Sequence, residues 1–163
     1  MPARKAPRNP HALFTIEGDV QRPQGFSYLD LAEIHPYYQL ADLSTVDEKL
    51  AGKAVRLRKL LDLAGPGYGT AWLTVESLDG KFAASLPMAD VARTAVLVYE
   101  KDGKPLERED GGPVRFLVPY YPDACANVKA VGRILISREK GRDTRPSQRA
   151  AQQGHEPAGQ PAS

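Results

Sequence analysis

Two apolar runs of strand length lie close together late in the chain, at residues 114–118 and 131–136. The linker between them is short and contains two Pro, two Tyr, an Asn and a Lys. Gly111, Gly112 and Pro113 precede the first run. Glycine tolerates positive φ and proline lacks an N–H, so a preceding element must end there. The pattern predicts two strands that begin at a defined break and are joined by a short polar linker.

The first of these runs alternates with the period of a strand. Val114, Phe116 and Val118 fall on one face, and Arg115 and Leu117 on the other. Arg115 is therefore expected to point away from the face that buries Phe116. Such an arginine is either an ion-paired surface residue or an anion ligand held on a rigid support.

The rest of the chain predicts further strands and a few short helices. Ser27 is a suitable N-cap for a helix, and Asp79-Gly80 is a tight-turn sequence between two strands. Strands are predicted at 13–20, 37–43, 72–77, 81–86 and 95–100, and helical segments at 27–34, 55–63 and 88–94. The strand predicted at 95–100 is continuously apolar and is expected to be central in a sheet.

At 163 residues and 42% hydrophobic content, the chain is long enough for one domain with a substantial core. Residues 1–12 are rich in Pro, Arg and Ala, and residues 138–163 contain no aliphatic side chain larger than Ala. Neither segment can bury enough apolar surface to offset its conformational entropy. We therefore predict a folded domain at 13–137 between a disordered N-terminal lead and a disordered C-terminal tail.

The formal net charge of +2 comes from the two ends of the chain. Residues 13–137 carry 17 acidic and 14 basic side chains, which gives a net charge of −3. A slightly acidic folded region argues against nucleic-acid binding.

The single cysteine, Cys125, excludes an internal disulfide and a multi-cysteine zinc site. No apolar run approaches the roughly 20 residues that span a bilayer. The first 14 residues lack the hydrophobic region of a signal peptide. As written, the sequence predicts a cytoplasmic protein without a membrane segment.

The order G-G-P-V-R-F-L-V-P, then C-A-N-V-K, then an apolar strand resembles the end of the oxidoreductase molybdopterin-binding domain, which has the sulfite-oxidase fold. The resemblance extends from about Phe14 to Ser137. It implies an α+β fold that is mixed and mostly β, with two or three short helices. It also implies that Arg115 and Lys129 contact the anionic pterin cofactor, as the matching basic residues do in family members.

The linker adds further candidates for a pterin or small-anion site. Asn127 offers both a donor and an acceptor to a heterocycle, and Tyr120 and Tyr121 could stack on its ring. Cys125 is either a small buried hydrophobe or a residue with a redox or ligand role supported by nearby Lys129.

Family members that bind molybdenum place a ligating cysteine in the region that corresponds to residues 38–45. This chain reads Y-Q-L-A-D-L-S-T there, and neither Asp42 nor Ser44 supplies a thiolate. The resemblance therefore implies a molybdopterin site, while the missing thiolate argues against molybdenum and gives no metal-ligating residue.

Three functions remain open from the sequence. The first is a module that binds a pterin or small anion without a cysteine–molybdenum bond. The second is an active molybdenum oxidoreductase with different ligation, working with a redox partner protein. The third is an interaction domain whose pocket has lost its function.

Overall fold

The first and last strands of the domain pair with each other in one sheet, which brings the two ends of the fold together. The structure, a computed structural model, describes residues 3–146. The strands are β1 (Phe14–Gly18), β2 (Gln24–Phe26), β3 (Gln39–Leu40), β4 (Lys53–Arg56), β5 (Trp72–Ser77), β6 (Ala83–Pro87), β7 (Val96–Lys101), β8 (Lys104–Pro105), β9 (Arg115–Leu117) and β10 (Val131–Ser137). The helices are α1 (Tyr28–Ala32), α2 (Leu57–Ala64) and α3 (Met88–Val91).

The first sheet has the strand order β2-β1-β10-β5-β6. Strand β1 runs parallel to β10, with Ile16 opposite Ile134, and the other neighbours are antiparallel. The hairpin β5–β6 and the final strand β10 confirm two of the predictions made from the sequence pattern.

The second sheet is built around β7, which pairs with β4, β8 and β9. Its residues 96–99 are all buried, as expected for a continuously apolar central strand. Successive side chains of a strand point to opposite faces. Leu97 and Tyr99 accordingly join the main core, whereas Val96 and Val98 join a smaller cluster on the other face.

The main core draws on helices that the sequence indicated. Helix α1 begins with a capping box in which Ser27 and Asp30 bond each other's backbone N–H groups. Helix α2 buries Leu57, Leu60 and Leu61 in the main core. The mixed, mostly β architecture, with three short helices among residues 3–146, confirms the predicted fold class.

The boundaries of the predicted elements shift in several places, and at two of them the physical reason is plain. The helix predicted at 55–63 begins only at Leu57, because Val55 pairs with Leu97 as part of β4. The strand predicted at 37–43 is reduced to β3, since Pro36 opens a 3₁₀ turn before it and Asp42 caps another one after it.

The prediction of a disordered tail from residue 138 is wrong for the part of it that the structure describes. Residues 141–145 lie along the outer edge of β6. The Thr144 N–H donates to the Ala83 carbonyl at 2.8 Å, and the Ser85 N–H donates to Asp143 at 3.1 Å. An uncovered edge strand leaves backbone groups unpaired. Hydrogen bonds to this edge therefore order residues 141–145 even though the segment has no apolar side chains to bury. Residues 147–163 lie outside the described residues.

The predicted N-terminal lead is also wrong in part. The Arg4 and Gly18 backbones exchange hydrogen bonds of 2.9 and 2.8 Å. The Ala6 N–H donates to the buried carboxylate of Glu17 at 2.7 Å. The start of the chain is thus fastened to the end of β1 by hydrogen bonds that an apolar pattern does not reveal.

Arg145 fastens the C-terminal segment to the domain. Its guanidinium donates to Asp143 at 2.7 Å, to Asp123 at 3.1 Å and to the Ser85 carbonyl at 3.0 Å. The Asp143 side chain is fully buried and that of Arg145 is 6% exposed. Burial alone would raise the pKa of Asp143, but the hydrogen bonds from Arg145 and from the Ser85 N–H outweigh it and lower that pKa.

Replacing Arg145 with alanine should destabilise the whole domain, because it leaves the buried Asp143 carboxylate without its partner. Breaking a buried pair in this way costs about 3–5 kcal/mol, which for this size lowers the melting temperature by roughly 10 °C or more. Arg142→Ala is the matched control in the same segment, since its side chain is 47% exposed. Equal melting temperatures for the two variants in a calorimetric scan would contradict this role of Arg145.

Candidate anion-binding cleft

A cleft of about 240 Å³ opens on the face of the second sheet that carries the smaller hydrophobic cluster. Val98, Leu106 and Leu117 form its apolar floor. Arg115 and Lys129 are among its polar walls. We call this site the arginine cleft.

Strand pairing places Arg115 in the arginine cleft. Strand β9 pairs with β7, with Arg115 opposite Val98 and Phe116 opposite Leu97. Phe116 is fully buried in the main core, so the alternation of the strand turns Arg115 to the opposite face. This is the orientation that the sequence pattern predicted.

Backbone pairing of Phe116 also brings Lys129 to the same place. The Phe116 N–H donates to the Val128 carbonyl at 2.8 Å, and the Val128 N–H donates back at 2.9 Å. The linker after β9 therefore returns beside β9, and Lys129 follows directly. Arg115 and Lys129 come from two sides of one loop and line one cleft.

Gly111 leaves room for both basic side chains. Its φ is +93°, and a Cβ at this position would lie 2.8 Å from Arg115 Cδ and 3.2 Å from Lys129 Cγ. A side chain there would collide with the stems of both residues. The glycine break before β9 thus lets the two stems pack across bare backbone.

Arg115, which lines the cleft, carries an unsatisfied donor. Its Nε atom is buried and has no hydrogen-bond partner among the described residues. Buried polar atoms are nearly always paired, and an unpaired one calls for an explanation. An acceptor from outside the chain, such as an anion, would supply the missing bond.

Four further charged residues line the arginine cleft, none of which the sequence analysis singled out: Lys49, Lys101, Glu109 and Asp110. Two of them form an ion pair. Lys101 ends β7, and its Nζ lies 3.0 Å from Asp110 Oδ1. The hydrogen bond and the negative charge of Asp110 raise the pKa of Lys101. The sequence signal was a Lys at the end of a buried strand and an Asp just before Gly111, but only the fold shows that they meet.

An adjoining cleft of about 420 Å³ shares Leu50, Ala51 and Lys101 with the arginine cleft. Asp42 lines it together with Ser44, so we call it the Asp42 cleft. It includes part of the region in which the resemblance places a metal-ligating cysteine. The region without a thiolate and the two basic residues therefore lie in neighbouring clefts.

The Asp42 carboxylate already has hydrogen-bond partners in the chain. It accepts from the Ser44 N–H at 2.9 Å and from the Ser44 hydroxyl at 2.7 Å, which lowers the pKa of Asp42. This arrangement caps the 3₁₀ turn Leu43–Thr45. No group of three or more His, Cys, Asp or Glu side chains within residues 3–146 could hold a metal ion.

Three other predicted site residues do not line the arginine cleft. The Asn127 side-chain oxygen accepts the Val118 N–H at 2.8 Å and so fastens the linker to β9. Tyr120 is 76% exposed, and its hydroxyl donates to the Val46 carbonyl. Cys125 is exposed rather than buried, and its N–H donates to Asp123.

Tyr121 lines a different cleft, of about 580 Å³, beside Trp72 and Arg145. Its hydroxyl lies 3.4 Å from Asp90. The structure separates Tyr121 from Arg115 because the linker turns sharply at Tyr120, where φ is +61°.

Comparison with known proteins identifies the family. A family model described as the oxidoreductase molybdopterin binding domain matches residues 4–144. The chain belongs to this family. The match begins and ends close to the limits of the described structure, so most of the predicted lead and residues 138–144 of the predicted tail lie within the domain.

Relatives of this molybdopterin-binding domain are longer proteins. The mitochondrial sulfite oxidases of Rattus norvegicus and Homo sapiens are each 39% identical over 62 residues, which cover 36% of this chain and 11% of theirs. The sulfane dehydrogenase SoxCD from Paracoccus pantotrophus is similar in structure, with a TM-score of 0.62 and 25% identity. That similarity covers 78% of this chain and 38% of the SoxCD chain.

The described residues contain no helix that is long and apolar enough to cross a membrane.

A Gly111→Ala substitution should damage the arginine cleft in two ways. Alanine at positive φ costs roughly 1–2 kcal/mol, and the new methyl group would displace the Arg115 and Lys129 stems. Gly80→Ala is the matched control, because Gly80 also has positive φ (+73°) but no atom within 4 Å of the Cβ position. Both variants should lose stability in urea unfolding, and Gly111→Ala should also lose affinity for sulfate in calorimetry. Equal sulfate affinity in the two variants would show that Gly111 is not needed to shape the cleft.

Proposed function

We propose that this domain binds an anionic pterin cofactor through the arginine cleft, with Arg115 and Lys129 holding the phosphate group. The convergence of Arg115 and Lys129 on one cleft is the observation that carries the proposal, and the unpartnered Nε of Arg115 adds a donor that lacks an acceptor. A guanidinium and an ammonium converging on one small cleft match the charge and the hydrogen-bond acceptors of a phosphate.

The volumes of the two clefts fit a cofactor whose phosphate lies in the arginine cleft and whose pterin lies in the Asp42 cleft. Pockets for small ligands typically measure about 300–1,000 Å³. The arginine cleft, at about 240 Å³, is smaller than this range and suits one end of a ligand. The Asp42 cleft adjoins it and measures about 420 Å³, which offers room for the rest of a pterin.

Charge and hydrogen bonding, rather than a thiolate bond, would hold the cofactor. Molybdenum carried by such a cofactor would supply the redox chemistry named in the family description. The chain itself supplies the cations at the phosphate end and the capped Asp42 turn at the other. We do not assign Asn127, Tyr120 or Cys125 to the cofactor, because they do not line either cleft.

An active molybdenum oxidoreductase with different ligation, together with a redox partner protein, is the second candidate. The similarity to sulfite oxidase and to sulfane dehydrogenase favours it. Both candidates predict pterin in the purified protein, but they differ in the metal.

We expect molybdenum far below one equivalent when the chain is produced in a host that makes the cofactor, because residues 38–45 supply no thiolate. Elemental analysis and fluorescence of the released pterin measure the two components separately. Pterin with little molybdenum supports the binding module. Near-stoichiometric molybdenum would overturn it in favour of the oxidoreductase, and the absence of both would favour an interaction domain.

Arg115→Ala should weaken binding of sulfate or a pterin phosphate by about tenfold or more, because a charge-assisted hydrogen bond contributes roughly 1.5–3 kcal/mol. Lys129→Ala should act similarly. Arg93→Ala is the control, because Arg93 is an exposed arginine outside both clefts. Calorimetric titration with sulfate measures the affinities, and a thermal scan checks the fold. If Arg115→Ala binds sulfate as tightly as Arg93→Ala does, the proposed site is wrong.

A further inference from the structure

An ion pair inside the arginine cleft engages a lysine that a bound anion could otherwise contact. Lys101 Nζ lies 3.0 Å from Asp110 Oδ1, and both residues line the cleft together with Arg115 and Lys129. Their side chains are 36% and 33% exposed. Ion pairs that are this accessible to water are weak, so Lys101 can change partner at little cost.

The two partners are held by different parts of the fold. Asp110 ends the 3₁₀ turn Arg108–Asp110, where its N–H donates to the Glu107 carbonyl. Lys101 ends β7 and also lines the Asp42 cleft. The backbone of Asp110 is therefore fixed, whereas the long side chain of Lys101 stands at the border between the two clefts.

We propose that Asp110 sets the anion affinity of the arginine cleft by holding Lys101, and that a doubly charged tetrahedral anion recruits Lys101 from it. The inference rests on the proposed function of Arg115 and Lys129 as anion ligands. It adds the ligand class: a phosphate monoester or sulfate, whose two charges attract a third cation more strongly than one charge does. A singly charged anion gains less affinity from Lys101, because it offers that lysine no more negative charge than Asp110 already does.

Glu109 offers a matched control for the charge of Asp110. It is the preceding residue, carries the same charge and lines the same cleft. Among the described residues, the ion pairs include Asp110 but not Glu109. Glu109→Gln therefore removes one negative charge from the cleft without releasing Lys101.

The test is calorimetric titration of the full chain with sulfate at low ionic strength. Asp110→Asn should bind sulfate about tenfold more tightly than the unaltered chain, which corresponds to about 1.4 kcal/mol. Glu109→Gln should give a clearly smaller gain. In a Lys101→Gln background, Asp110→Asn should raise the sulfate affinity by no more than Glu109→Gln does in the unaltered chain. Should Asp110→Asn fail to fold in a thermal scan, Asp110→Ser provides the same test.

Three outcomes would overturn the inference: no gain in Asp110→Asn, a gain equal to that of Glu109→Gln, or a gain that persists without Lys101. Perchlorate is tetrahedral and singly charged, so Asp110→Asn should raise the affinity for perchlorate less than the affinity for sulfate. An equal rise for both anions would overturn the proposed ligand class. Arg115→Ala separates this inference from the proposed function. If Arg115→Ala loses sulfate while Asp110→Asn gains nothing, only the role of Asp110 fails.

Discussion

The candidate site depends on the backbone pairing of one residue, Phe116. Its ring is fully buried in the main core, its backbone N–H and carbonyl both bond to Val128, and on its other side it lies opposite Leu97 of β7. The residue before it in the sequence, Arg115, must then point to the opposite face, and the residue after Val128 must be Lys129. Two cations meet because the core fixes a phenylalanine between β7 and the linker segment at Val128. A substitution that loosens Phe116 would therefore disperse the site without touching a charged residue.

Local patterns in the sequence were enough to predict the elements that bury apolar faces. The alternation around Phe116, the Asp79-Gly80 turn and the Ser27 cap correspond to β9, to the hairpin β5–β6 and to the start of α1. The order of residues 141–145 could not be predicted this way, because it comes from hydrogen bonds between Arg145, Asp143 and the edge of β6. Such bonds join residues about 60 positions apart, and no periodicity records them.

The same distinction separates the parts of the candidate site. Arg115 and Lys129 were found through a resemblance that the family match then supported, and their convergence follows from a short linker. Lys101 and Asp110 were missed because their meeting depends on how the turn Arg108–Asp110 folds back beside the end of β7. Asn127 was predicted as a cofactor ligand from its chemistry alone. The fold instead uses its amide oxygen to satisfy the Val118 N–H, since a buried backbone donor needs a partner.

The charges of the arginine cleft serve two opposing requirements. Cations that converge on a small cleft repel one another, and this repulsion opposes folding whenever no anion is bound. Asp110 relieves the repulsion by pairing with Lys101, and the hydrogen bond and charge of Asp110 raise the pKa of that lysine. The same carboxylate repels an incoming anion. A site of this kind cannot be optimal for both states, and Lys101, the cation paired with Asp110, is where the balance between stability and affinity is set.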